Sequence, residues 1–153
     1  YGHPDQGVSF PSNPDNNLTS WGGSFADYIK TYLWTLYLYE HFGGQETILA
    51  LVSEPLNSIA GVDATLAGRG YAERFDDVIA DWYVANYLDD PTVGGGRYHY
   101  AGEDLPPFAN IVKSSYPVPP TGATVNHWAS DYVRFINGQP QRLRFNGPDA
   151  PRE

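Results

Sequence analysis

Apolar and polar positions sort this chain into a helical first part and an irregular second part. Seven of the nine residues from Thr31 to Tyr39 are apolar or aromatic, the exceptions being the two threonines. The run Tyr28–Phe42 (YIKTYLWTLYLYEHF) therefore presents apolar surface around nearly its whole circumference, the pattern of a central helix wrapped by other elements. Thr19, Ser20 or Ser24 can cap its start, Asp27 suits the positive end, and Gly43 can adopt the left-handed conformation that ends it. These signals predict a first helix over about 20–42. Glu46–Val52 predicts a short second helix, stopped ahead of Pro55. Ser58–Ala67 predicts a third, with Ser58 or Asp63 as cap and Gly68 and Gly70 as exit. In Glu73–Asp90, closed by Pro91, the residues Phe75, Val78, Ile79, Trp82 and Asn86 recur at three-four spacing. They make one buried stripe, while Asp76, Asp77 and Asp81 fall mostly elsewhere.

Beyond Pro91 the helical period stops. Gly94–Gly96, Pro106-Pro107 and Pro117–Pro120 punctuate the chain, which specifies turns and short extended pieces. Trp128–Ile136 alternates in the manner of a strand, as does Arg142–Phe145 after Asn137-Gly138, so the two predict a hairpin with a loop lengthened by Pro140. The first eighteen residues mix Pro, Gly, Asn and Asp and read as loop. The predicted fold is mainly α: a small bundle of about four helices with an irregular C-terminal third containing short β-strands. Its parts are an N-terminal loop over 1–18, the bundle over 19–91 and the extension over 92–153.

Composition narrows the partners. At 153 residues the chain is long enough for one domain with a substantial core. Eighteen acidic residues against nine basic ones give a formal charge of −9, with Lys30 and Lys113 the only lysines. No basic face is available to neutralise phosphates, so nucleic acid is not an expected partner. The scattered acids suit a solvated surface first, and otherwise a cation site or a cationic ligand. The Tyr28–Phe42 run is shorter than the roughly 20 residues that span a bilayer, and Lys30, Glu40 and His41 bracket it, so no membrane partner is expected. The absence of cysteine removes disulfides, zinc thiolates and thiol nucleophiles. Abundant Gly, Pro, Asn and Tyr with few lysines match secreted bacterial proteins, so an extracellular location is expected. No signal peptide opens the chain and Tyr1 is not an initiator, so the chain is expected to be processed or cut from something longer.

The residues that carry chemistry are sparse. His3, His41, His99 and His127 include no pair at i,i+4, and no HExxH occurs. His41 is placed where the helix dipole favours a cation. There is no GxSxG, and Ser24 is explained by capping. The carboxylate pairs Asp76/Asp77, Asp89/Asp90 and Glu103/Asp104 are adjacent rather than facing, a poor arrangement for a glycosidase. Asp89-Asp90 reads as a helix exit, with calcium as the other use of such a pair. Gly94–Gly96 is a turn. Trp21, Trp34 and Trp82 read as core, whereas Trp128 is ambiguous between core and a stacking surface.

The run from Tyr28 through Phe42 to Gly43-Gly44, with the following short helix, the Phe75–Asp90 helix, Gly96–Tyr100 and the Trp128–Phe135 segment, covers roughly residues 18–136. It resembles the segment that follows the zinc motif in secreted bacterial neutral zinc metallopeptidases, thermolysin-like gluzincins similar to hyicolysin. The resemblance implies a zinc-dependent peptide hydrolase whose HExxH helix and third ligand lie upstream of the matched segment. This chain would then be the subdomain that shapes the substrate cleft, with zinc in its parent and no ligand of its own, and inactive alone. It also implies a tyrosine donating to the tetrahedral oxyanion, with Tyr28 the first candidate and Tyr32 the second. Two further readings stand beside it. One is a non-catalytic extracellular module binding glycan or protein, and the other a glycan hydrolase using scattered carboxylates.

Overall fold

The computed structural model describes residues 9–118 and 124–138. Five helices, α1 (Ser9–Ser12), α2 (Phe25–His41), α3 (Gly44–Ser53), α4 (Ser58–Gly68) and α5 (Phe75–Leu88), precede a short 3-10 turn, Gly94–Gly96. Two strands follow, β1 (Ile111–Lys113) and β2 (Val133–Phe135). The mainly α class and the four helices read from the sequence are present. The extra helix, α1, is a single turn that the Pro-rich start concealed, and it places Phe10 in the core.

Helix α2 begins where its chemistry is strongest. Ser24 is the N-cap, its Oγ accepts from Asp27 N–H, and the Asp27 carboxylate accepts from Ser24 N–H in return. This reciprocal box satisfies two otherwise orphan donors. At the other end Gly43 takes φ +91°, and a Cβ there would meet the Tyr71 hydroxyl at 2.8 Å. Neither cap expected for α4 operates: Asn57 occupies the N-cap without a side-chain bond. Asp63 instead serves α5, with Oδ1 accepting from Phe75 N–H at 2.7 Å and Oδ2 from Arg74 at 2.5 Å. A short loop brings the two helices close enough for that exchange. Gly61 is needed for packing, since a Cβ on it would lie 2.4 Å from the Leu56 carbonyl oxygen.

One aromatic core joins the elements. Trp82 is stacked by Phe10 at 5.9 Å and met edge-on by Trp34 at 5.5 Å, and Trp34 in turn packs on Phe75. Phe108 stands edge-on to Phe10, and Tyr100 to Tyr37, so the irregular third closes over the bundle. The expected stripe of α5, including Asn86, is buried. Asn86 accepts from the Tyr100 hydroxyl at 2.7 Å.

Two expectations are corrected. Helix α2 is not apolar-buried around its circumference: Ile29, Leu33, Trp34, Tyr37 and Leu38 face the core, while Phe25, Tyr28, Tyr32 and Tyr39 are exposed. A tyrosine can keep its ring against neighbours and its hydroxyl in water, so its presence does not specify burial. The second concerns Trp128–Ile136, of which only Val133–Phe135 is strand. It pairs in parallel with Ile111–Lys113. Trp128 takes φ +51° and its carbonyl accepts from Leu18 N–H at 3.0 Å, which breaks the extended run. Its ring packs edge-on to Phe75 at 4.8 Å, the core reading of this tryptophan. Arg142–Phe145, the expected partner, lies outside the described residues.

Candidate functional site

The outer face of α2 holds both tyrosines singled out by sequence. Phe25, Tyr28, Tyr32, Leu36 and Tyr39 succeed one another at three- or four-residue steps, so they form one row along the helix. Tyr28 is 58% exposed, and Trp21, expected in the core, instead lies ahead of α2, is 56% exposed and meets Tyr28 edge-on with centroids 4.7 Å apart. Where α3 folds back against α2, the row deepens into a groove of about 280 Å³ lined by Tyr32, Thr35, Leu36, Tyr39, Gln45, Ile48 and Leu49. Almost no polar atom faces it. Thr35 donates its hydroxyl to the Thr31 carbonyl at 2.8 Å, so that polar atom is already occupied. Past the groove, Val52 and Leu56 continue the exposed apolar surface.

Two carboxylates, Glu103 and Glu40, stand near Tyr32. The Tyr32 hydroxyl donates to Glu103. Partial desolvation first, then the bond to Glu103 and the charges of Glu103 and Glu40, push the Tyr32 phenol up to about 12. It is thus a neutral donor, already engaged. Glu40, next to Tyr39, accepts from Ala101 N–H at 2.9 Å and Gly102 N–H at 3.2 Å. Glu46, next to Gln45, pairs with Arg69 at 2.8 Å.

A second polar assembly lies on the opposite flank of α2 and was not foreseen. Lys30 is fully buried, and its ammonium donates to Asn17 O (2.6 Å), Asn16 Oδ1 (2.8 Å), Ser20 O (2.9 Å) and Asp27 Oδ1 (3.0 Å). The other Asp27 oxygen accepts from Gly22 N–H, Ser24 N–H and Ser24 Oγ. The Lys30 ammonium foremost, helped by the Ser24 and Gly22 donors and opposed by burial, holds the Asp27 carboxyl far below its ordinary value. Every donor is used, which makes this knot a fastener of the N-terminal loop. The single legible signal was the Asp27 to Lys30 spacing of three on one helix.

The remaining candidates are also structural. Asp89, at φ +40° beyond α5, accepts from His99 Nδ1, Tyr100 N–H and Leu105 N–H, each near 3.0 Å. Asp90 accepts from the Thr92 backbone and hydroxyl. Asp89 thus uses both oxygens, and Asp90 its Oδ1, to hold the helix exit. His41 donates from Nε2 to the His99 carbonyl at 3.0 Å and packs at a tilt against Tyr37. His127 packs at a tilt against Trp128, and His3 lies outside the described residues. Among the described residues no three His, Asp or Glu side chains converge in a metal-binding group, and no helix is long and apolar enough to cross a membrane. A second depression, about 350 Å³, lies between Leu18, Thr19, α2 and α4, where Trp34 forms part of the wall but is itself buried.

Comparison of the chain with protein-family models, curated proteins and solved structures finds no match. The metallopeptidase resemblance accordingly stands on the residues quoted for it and has no further support.

Proposed function

We propose that this chain is a non-catalytic, extracellular protein-binding module whose α2–α3 groove receives the apolar face of a helix from a partner protein. The observation that carries the reading is the row of exposed Phe25, Tyr28, Tyr32 and Tyr39, with half-buried Leu36 among them, opening into an apolar groove. Exposed apolar surface that is contiguous and shaped marks an interaction site, and a groove between two helices suits side chains spaced along a third. Tyrosine and tryptophan supply large contact area at small entropic cost, which makes Trp21 and Tyr28 natural anchors. The floor of the groove is almost wholly apolar, which suits the side chains of a helix. The extracellular setting rests on composition and on the resemblance.

A second reading keeps the metallopeptidase resemblance. The same face would be the substrate wall of a zinc endopeptidase, with Tyr28 as oxyanion donor, and the exposure of Tyr28 at the first turn of α2 favours it over Tyr32, which is engaged by Glu103. Zinc would be held by the portion that carries HExxH.

The test titrates the protein with a designed peptide of about 20 residues, built of Leu, Ala and Gln to give one apolar helical face. NMR shifts are expected at the Tyr32 and Tyr39 rings and the Ile48 and Leu49 methyls, the peptide gains helicity, and Leu49→Asp removes both effects. Absence of shifts at these residues overturns the docking reading. An extended peptide that shifts Tyr28 without gaining helicity would instead favour the substrate wall.

A further inference from the structure

We propose that Asn17 is an N-glycosylation site, its side-chain nitrogen taking an oligosaccharide from a polyprenyl diphosphate donor as the chain is exported. The inference stands apart from the docking reading and shares with it only the extracellular setting.

The motif is written in the sequence. Of nine asparagines only Asn17, in Asn17-Leu18-Thr19, is followed by a residue other than proline and then by Ser or Thr. In a secreted chain such a motif belongs to a surface loop. Here it lies between α1 and α2, with Asn17 half-buried and Thr19 exposed. Asp15, two residues ahead, extends the motif to Asp-Asn-Asn-Leu-Thr, so a transferase that also demands an acid at that place is served as well.

The hydrogen bonds separate the committed atoms of the motif from the available one. Asn17 Oδ1 accepts from Thr19 N–H at 2.8 Å and from the Thr19 hydroxyl at 2.9 Å. Asn17 O accepts from the Lys30 ammonium at 2.6 Å, and Leu18 N–H donates to the Trp128 carbonyl at 3.0 Å. The fold thereby holds the hydroxyl of the third residue against the amide of the first. Asn17 Nδ2 makes no hydrogen bond among the described residues and is not one of the buried polar atoms that lack a partner, so it meets solvent.

The bland reading of Asn17 is a turn-former. Such a turn is built by the side-chain oxygen, and aspartate builds it as asparagine does. The nitrogen is therefore the polar atom of this side chain that the turn leaves unused, and it is the atom that glycosylation needs. Nδ2 attacks the anomeric carbon of the donor sugar. As the C–N bond forms, the bond from that carbon to the diphosphate oxygen breaks, polyprenyl diphosphate departs and the amide gives up one proton. Oδ1 is untouched, so the turn with Thr19 and the Lys30 knot survive the addition.

Placement fits the rest of the molecule. Leu18 and Thr19 border the depression walled by Trp34, Ile59 and Phe75, which shares no lining residue with the α2–α3 groove. A glycan on Asn17 lies beside that depression and leaves the docking face uncovered.

The experiment secretes the full chain from a eukaryotic host whose export pathway transfers N-glycans. Intact mass is read before and after a peptide-N-glycosidase, which removes the glycan and leaves the attachment residue deamidated. The protein is expected to exceed 17.0 kDa by one glycan and to return to that mass on digestion, with the deamidation mark at Asn17 in the sequenced peptide. Asn17→Gln and Thr19→Val should abolish the addition, and Thr19→Ser, which keeps the hydroxyl, should retain it. The glycosylated and digested forms should share one urea midpoint, because the turn and the knot do not use Nδ2. Secreted, folded protein of unmodified mass would overturn the proposal, as would a glycan that survives Thr19→Val or one attached elsewhere. A glycosylated form that unfolds at markedly lower urea than the digested one would also overturn it, by showing that Nδ2 is enclosed in the native chain. The Thr19 variants leave Asn17 itself unchanged, so the proposal remains refutable even if Asn17→Gln fails to fold.

Discussion

The two faces of α2 carry similar side chains and do opposite work. Inward, Trp34 is held between Phe75 and Trp82, and Tyr37 is fully buried with its hydroxyl donating to the Arg97 carbonyl at 3.1 Å. Outward, Tyr28, Tyr32 and Tyr39 are exposed in a row over the groove. The contrast reverses a simple hydropathy ranking, because the fully buried cation Lys30 sits two residues from the exposed ring of Tyr28. A charge is tolerated inside where four oxygens surround it, and an aromatic ring is placed outside where no element covers it. Burial on this helix follows partners, not residue type.

The comparison can be broken most severely at its inner face. Trp82→Ala should cost about 4 kcal/mol, a large core truncation with an unfilled cavity, read from the midpoint of urea unfolding; a loss below 1 kcal/mol would mean that Trp82 is not the centre of the core. Lys30→Ala comes next at about 3 kcal/mol, because it strands the buried Asp27 carboxylate. Asp27→Asn in the same chain should recover part of that loss, and a double-mutant cycle with zero coupling would contradict the pairing.

Acid sharpens the same point. Asp27 is held far below its ordinary value of 3.8, so between that value and its depressed folded one the unfolded chain binds a proton that the native chain does not. Stability from this group is therefore complete above the ordinary carboxylate range and is lost as pH falls below about 4. Urea unfolding at several acidic pH values should show that slope, and Asp27→Asn should flatten it. At the outer face Leu49→Gln should change stability by less than about 0.5 kcal/mol while weakening binding of the designed peptide severalfold. A destabilisation above 2 kcal/mol there would mean that the groove residues belong to the core.

The bundle was legible because its signals are local. The stripe on α5, the Ser24 and Asp27 cap, the Gly43 exit and the stop at Pro91 each depend on neighbours within about one helical turn. The site was legible only by half: Tyr28 and Tyr32 were singled out, but as oxyanion donors taken from a resemblance. That Tyr32 shares a groove with Tyr39, Ile48 and Leu49 needed the turn at Gly43-Gly44, which lays α3 against one side of α2. The parallel pairing of Ile111–Lys113 with Val133–Phe135 was hidden for a related reason, since its strands are three residues long and twenty apart.

Sequence alone determined a mainly helical chain with an aromatic core, an acidic surface and no thiol chemistry, since period, charge and composition are properties of the chain itself. Tertiary structure alone decided which face of α2 is left uncovered, that Lys30 is enclosed, and that Asp89 fastens the loop through Leu105. Those outcomes depend on which distant oxygen, ring or backbone N–H arrives at a residue, and no local pattern carries that information.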